Sequence, residues 1–99
     1  AEDALQAVAL GVKGIVVSNH GGRACGNAIG TLEALEEVAE ALRSAGFLGA
    51  GALELYVDSG VRSGRDVAKA LCLGAQGVGL GRPYYWAAAA YGEEGIVRL

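Results

Sequence analysis

The chain is short of the features that mark several protein classes at once. It has only two cysteines in 99 residues, Cys25 and Cys72, too few for the disulfide framework of a small secreted domain. Charge is sparse and slightly acidic, with a formal net charge of −3 and no basic run. Neither nucleic acid nor an anionic membrane surface is therefore an expected partner. No apolar stretch approaches the ~20 residues of a membrane span, and no signal-peptide pattern opens the chain. An intracellular, cytoplasmic location is the expectation, with organelle targeting left open. No metal is expected. The first residue is Ala1, not Met, and the sequence enters directly on a helix-like segment. We expect a piece of a longer chain.

Glycine and small aliphatic residues are abundant: 17 glycines, and a hydrophobic fraction of 53% with few aromatics. Such a composition fits buried parallel strands packed closely under helices. The periodicity predicts a helix over Glu2 to Leu10, ended by a left-handed Gly11. A strand apolar on both faces follows at Gly14–Ser18, then a polar, Gly-rich loop from Asn19 to Asn27. Thr31 is placed to cap a second helix whose apolar positions are Leu32, Leu35, Val38, Ala39 and Leu42. Gly46, Gly49 and Gly51 punctuate the way to a strand at Glu54–Val57, which ends at Asp58. Ser63-Gly64-Arg65-Asp66 forms a capping box for a third helix that runs to Leu73 and stops at Gly74. A strand at Gly77–Leu80 leads to Gly81-Arg82, and Pro83 opens a last helix, with a new segment near Glu93. Cys72, within Ala70-Leu71-Cys72-Leu73, is expected to be a buried free thiol, and Cys25 to lie in a loop.

Strands separated by helices through short loops indicate parallel β/α units. Ala9-Leu10-Gly11-Val12-Lys13-Gly14-Ile15 is echoed by Cys72-Leu73-Gly74-Ala75-Gln76-Gly77-Val78, a repeat of helix end, glycine cap and strand start. Three strands do not close a barrel, which takes eight and typically about 250 residues. The expected class is α/β: C-terminal β/α units of a TIM (β/α)8 barrel, incomplete in this chain.

Polar clusters follow each strand: His20 and Arg23 the first, Asp58, Gly60 and Arg62 the second, Gly81 and Arg82 the third. Ligands of β/α folds bind at the carboxyl ends of strands, so the three clusters are expected on one face. Glycine-rich turns at helix N-termini present free N–H groups and the positive end of the helix dipole to an anion. Two successive turns of this kind, joined by Arg62 or Arg82, make a phosphate cup. In the first cluster, histidine is the side chain best suited to proton transfer near neutral pH. Three positions on, Arg23 has the fork that grips a carboxylate.

These residues carry a resemblance to a known family. Ile15-Val16-Val17-Ser18-Asn19-His20-Gly21-Gly22-Arg23 resembles the active-site segment of the FMN-dependent α-hydroxy acid dehydrogenases and oxidases, which include glycolate oxidase, lactate oxidase, lactate monooxygenase, mandelate dehydrogenase and flavocytochrome b2. Asp58-Ser59-Gly60-Val61-Arg62, Lys69-Ala70-Leu71 and Gly79-Leu80-Gly81-Arg82-Pro83 resemble its FMN-phosphate segment, and Tyr91-Gly92-Glu93-Glu94-Gly95 fits its tail. The resemblance covers essentially all of the chain. It implies FMN as cofactor and a small 2-hydroxy acid of the lactate, glycolate or mandelate type as substrate. His20 would be the catalytic histidine that takes a proton from the hydroxy acid, and Arg23 would bind the substrate carboxylate. Asp58, Ser59, Gly60, Val61, Arg62, Gly81 and Arg82 would hold the FMN ribityl phosphate. A homo-oligomer is compatible with it, and the electron acceptor is not named by it. Where the family usually continues Gln-(Leu or Val)-Asp after Arg23, this chain has Ala24-Cys25-Gly26, and Ser59 stands where Gly is frequent. The family's active-site lysine, substrate-binding tyrosines and second arginine belong upstream of such a segment. Two other readings compete: a half-barrel that binds FMN or phosphate without catalysis, and a truncated product without activity.

Overall fold

The computed structural model describes residues 1–49 and 53–99; Gly51, expected in the second connection, lies outside them. Helix α1 spans Glu2–Ala9, strand β1 Gly14–Val17, helix α2 Thr31–Ser44 and strand β2 Glu54–Val57. Helix α3 then spans Gly64–Leu73, strand β3 Gly77–Val78 and helix α4 Arg82–Arg98. A single 3-10 turn, His20–Gly22, follows β1. The expected alternation of helix and strand is observed throughout.

The strands form one parallel sheet in the order β1-β2-β3. Gly14 pairs with Glu54 and Val17 with Val57, and Tyr56 pairs with Gly77. All strand ends that carry polar clusters therefore lie side by side. Neighbouring parallel strands joined by helices form an arc of a β/α barrel, with the helices on one face. On that face Val17, Leu55 and Val57 pack against Leu35, Ala39 and Leu42 of α2 and against Ala70. Leu35, Leu42 and Leu55 are fully buried.

The other face is open, the counterpart of three strands that do not close a barrel. Val16 is 61% exposed. Side chains alternate along a strand, so one register step separates the buried Val17 from the open Val16. On the same open face Tyr56 donates to Glu54 Oε2 at 3.2 Å. That bond and the neighbouring negative charge raise the Tyr56 phenol above its ordinary value. The Tyr56 ring lies across β3, where a Cβ at Gly77 would come within 2.9 Å of it.

Several local expectations need correction. Thr31 does not cap α2: Gly30 occupies the N-cap, and the Thr31 hydroxyl donates instead to the Ser59 carbonyl at 2.7 Å. Cys72 is exposed, as is Cys25, because its apolar run lies in a helix and Ala70, two positions earlier, takes the core-facing place. β3 ends at Val78, although the Gly79 amide still reaches the Val57 carbonyl at 2.8 Å. α4 is interrupted at Gly92, near the expected new segment, with φ 60 and ψ −145. Among the described residues no helix is long and apolar enough to cross a membrane.

Candidate active site

The three strand ends open into one cleft of about 410 Å³. Its walls include Ser18, His20, Gly21 and Arg23 from the first strand end and Asp58 through Arg62 from the second. Gly79 through Pro83 come from the third. His20, Arg23, Asp58, Ser59, Gly60, Val61, Arg62, Gly81 and Arg82, the candidate site residues of the sequence, all reach this cleft. Their convergence follows from parallel pairing, which puts the carboxyl ends of β1, β2 and β3 at one rim.

The first wall is a strained turn. His20 has φ 55 and Gly21 φ 65, so the chain reverses just past β1 and carries His20 out into the open cleft. The His20 amide donates to Ser18 Oγ at 3.2 Å, and the Gly21 amide to Ser59 Oγ at 3.0 Å. Behind the turn, Asn19 Nδ2 donates to the Ile29 carbonyl at 3.0 Å and ties the loop down. Arg82 reaches across from the third strand end: a Cβ at Gly21 would lie 3.2 Å from its Nη2. The positive φ favours glycine there, and a Cβ would also press the Arg82 guanidinium aside by a few tenths of an ångström.

The second wall begins at Asp58, whose Oδ1 accepts the Ser59 hydroxyl at 2.8 Å. A Cβ at Gly79 would meet the Asp58 side chain at 2.9 Å, so glycine lets the third strand end close over the second. Val61 is buried and anchors the turn. Beyond it the capping box of α3 forms. Asp66 Oδ2 accepts the Arg62 and Ser63 amides, at 3.1 and 3.0 Å, and the Ser63 hydroxyl at 3.0 Å. The Arg62 amide first, then the Ser63 hydroxyl, hold the Asp66 carboxyl below its ordinary value. The Arg62 guanidinium lies 4.6 Å above the ring of Trp86, a cation–π stack that keeps it at the rim of the cleft.

The amides of Gly60, Val61 and Gly81 have no acceptor among the described residues. Together with Arg62 and Arg82 they give this end of the cleft a set of donors and positive charge. Such a set is suited to a phosphate, with α3 and α4 starting beside it. The opposite end, with His20 and Arg23, pairs a group that exchanges protons with one that grips a carboxylate. Among the described residues no group of His, Cys, Asp and Glu is arranged to hold a metal ion.

Sequence reasoning gave Ser18 and Trp86 no role of their own and gave Thr31 a different one, as a helix cap. Ser18 and Thr31 act through partners 41 and 28 positions away, which no local pattern marks. Trp86 had a visible signal, as a lone tryptophan one helical turn after Pro83 at a strand end, but its partner Arg62 is set by the tertiary fold.

Comparison with known proteins agrees with this geometry. The model of the FMN-dependent dehydrogenase family matches residues 1–99. The L-lactate dehydrogenase (cytochrome) of Wickerhamomyces anomalus is 46% identical over 97 residues, which cover 98% of this chain and 17% of that protein. A mutant flavocytochrome b2 with pyruvate bound superimposes with a TM-score of 0.87 at 47% identity, over 96% of this chain and 24% of that one. A mandelate oxidase mutant with a monooxide FMN adduct superimposes with a TM-score of 0.82 at 47% identity, over 98% of this chain and 29% of that one. The chain thus spans less than a third of the length of each. With a family match along its whole length, and with the strand-end cleft in place, the chain belongs to the FMN-dependent dehydrogenase family.

Proposed function

We propose that this chain is the C-terminal part of an FMN-dependent α-hydroxy acid dehydrogenase domain. The whole protein would oxidise a 2-hydroxy acid of the lactate, glycolate or mandelate type to the 2-oxo acid. The observation that carries this reading is the meeting of His20 and Arg23 with the donor-rich turns at Gly60–Arg62 and Gly81–Arg82 in one cleft.

The donor set fits FMN. Arg62, Arg82 and the free amides of Gly60, Val61 and Gly81 would take the phosphate. Asp58 would accept a hydroxyl hydrogen of the ribityl chain, and Ser59, whose hydroxyl donates to Asp58, would line that part of the cleft. When bound, FMN supplies the two-electron acceptor of the reaction. Arg23 forks onto the substrate carboxylate and sets the hydroxyl-bearing carbon beside His20. Oxidation removes one hydrogen from the hydroxyl and one from the α-carbon, and an imidazole nitrogen of His20 takes a proton in that step. The upstream part of the protein would complete the substrate pocket.

The test is anaerobic bleaching of the flavin in the full-length protein by lactate, glycolate and mandelate. His20→Ala is expected to slow reduction by ~100- to 10,000-fold with FMN still bound. Normal reduction in that variant would end the assignment of His20. Retained flavin with no reduction by any hydroxy acid in the unaltered protein would favour a binding module instead.

A further inference from the structure

Two non-glycine residues among those described hold a left-handed backbone, His20 at φ 55 and Ser59 at φ 70. They sit at neighbouring strand ends and are joined by hydrogen bonds. An L-residue stays in that region only when its surroundings over-determine it. For Ser59 they do so from both sides. Thr31 Oγ1 donates to its carbonyl at 2.7 Å, and its own hydroxyl donates to Asp58 Oδ1 at 2.8 Å. That donation uses its one proton. The Ser59 oxygen is therefore left as an acceptor, and it receives the Gly21 amide at 3.0 Å. The Ser18 and Ser59 hydroxyl oxygens are 3.3 Å apart, so Ser18 must be the donor of that pair. Ser18 Oγ in turn accepts the His20 amide at 3.2 Å.

The amides of His20 and Gly21 thus both end, directly or through Ser18, on the Ser59 hydroxyl and the Asp58 carboxylate. We propose that Ser59 is a positioning residue that holds the His20 turn in its left-handed form through this hydroxyl relay, and so fixes where the imidazole stands in the cleft. Gly21 and Gly22 follow His20 and supply little stiffness of their own. Without the relay the turn has no other constraint on these two amides among the described residues. This goes beyond the cofactor-holding role of Ser59 and rests on the reading of His20 as the base.

Two substitutions separate the hydroxyl from the backbone. Ser59→Gly removes the hydroxyl and relieves the left-handed backbone, so it does not endanger folding; Ser59→Ala removes the hydroxyl and keeps the Cβ. The experiment uses the full-length protein saturated with FMN. In both variants the rate of flavin reduction at saturating hydroxy acid is expected to fall about tenfold, the worth of one well-made hydrogen bond. The half-saturating substrate concentration should change by less than about twofold, because Arg23 is untouched. Deuterium uptake by a peptide covering Ser18–Arg23 should speed about tenfold, with peptides of α2 unaltered. Ser18→Ala, which cuts the relay away from the cofactor turn, should speed the same uptake. Unaltered reduction and unaltered uptake in Ser59→Gly would overturn the proposal. If the unaltered protein reduces no flavin with any hydroxy acid, the functional reading fails, while the uptake comparison still decides whether Ser59 holds the turn.

Discussion

The His20 turn brings the proposed chemistry and backbone strain together in the same few residues. Arg23 supplies a planar fork that a lysine ammonium does not reproduce. Arg23→Lys is therefore expected to raise the half-saturating hydroxy acid concentration by about 10- to 100-fold, the range of a charge-assisted bond, with FMN affinity unchanged. Steady-state kinetics alongside flavin titration checks this, and an unchanged substrate dependence would remove Arg23 from the carboxylate site. Gly21→Ala forces a Cβ into a residue at φ 65 and to within 3.2 Å of Arg82 Nη2. It should cost about 1–2 kcal/mol of stability and loosen FMN as Arg82 shifts, read by thermal melting and flavin release. At this scale His20, Arg23, Asp58, Arg62 and Arg82 were legible in the sequence, because their side chains carry distinctive chemistry and follow strands. Thr31 was misassigned. A threonine before a helix is a plausible cap in any sequence, and only the carbonyl of Ser59, brought to 2.7 Å, claims its hydroxyl.

Helices and strands here were legible where local signals were strong. The Ser63–Asp66 capping box, the Gly74 stop and the limits of β2 all stand where periodicity and cap chemistry put them. Shorter elements were less so: β3 keeps two residues of the four expected, since its extent depends on pairing with β2. The cap of α3 has a pH signature. Asp66 is depressed in the folded chain by the Arg62 amide, then the Ser63 hydroxyl, so its contribution is present above the ordinary value of 3.8. That contribution is lost as pH falls through the lower folded value. Asp66→Asn should therefore lower the denaturation midpoint at neutral pH, with the gap to the unaltered protein closing once the pH is well below 3.8. A gap that stays constant down to the acid limb would contradict the cap assignment. In α2, Leu35 is fully buried between helix and sheet. Leu35→Ala is expected to cost 2–5 kcal/mol, roughly the range for a buried leucine, measured by urea unfolding of the full-length protein.

For the molecule as a whole, the one-sided sheet has consequences. Parallel sheets are normally covered on both faces, yet Val16 is 61% exposed and the Tyr56 side of the sheet is open. The 99-residue chain expressed alone should bind an apolar dye and associate as its concentration rises, as large exposed apolar faces do. Light scattering and dye fluorescence against the full-length protein check this; a monomeric, dye-silent chain would show that the face is covered in some other way. The sequence by itself determined the α/β alternation, the parallel connectivity and the polar loops that line the cleft. Caps, glycine stops and apolar periodicity are properties of residues close together along the chain. Only the tertiary structure decided that Ser59 serves the His20 turn, that Arg62 stacks on Trp86 and which face of the sheet α2 covers. Those contacts join residues such as Gly21 and Ser59, 38 positions apart, and arise only when parallel pairing lays strand ends side by side.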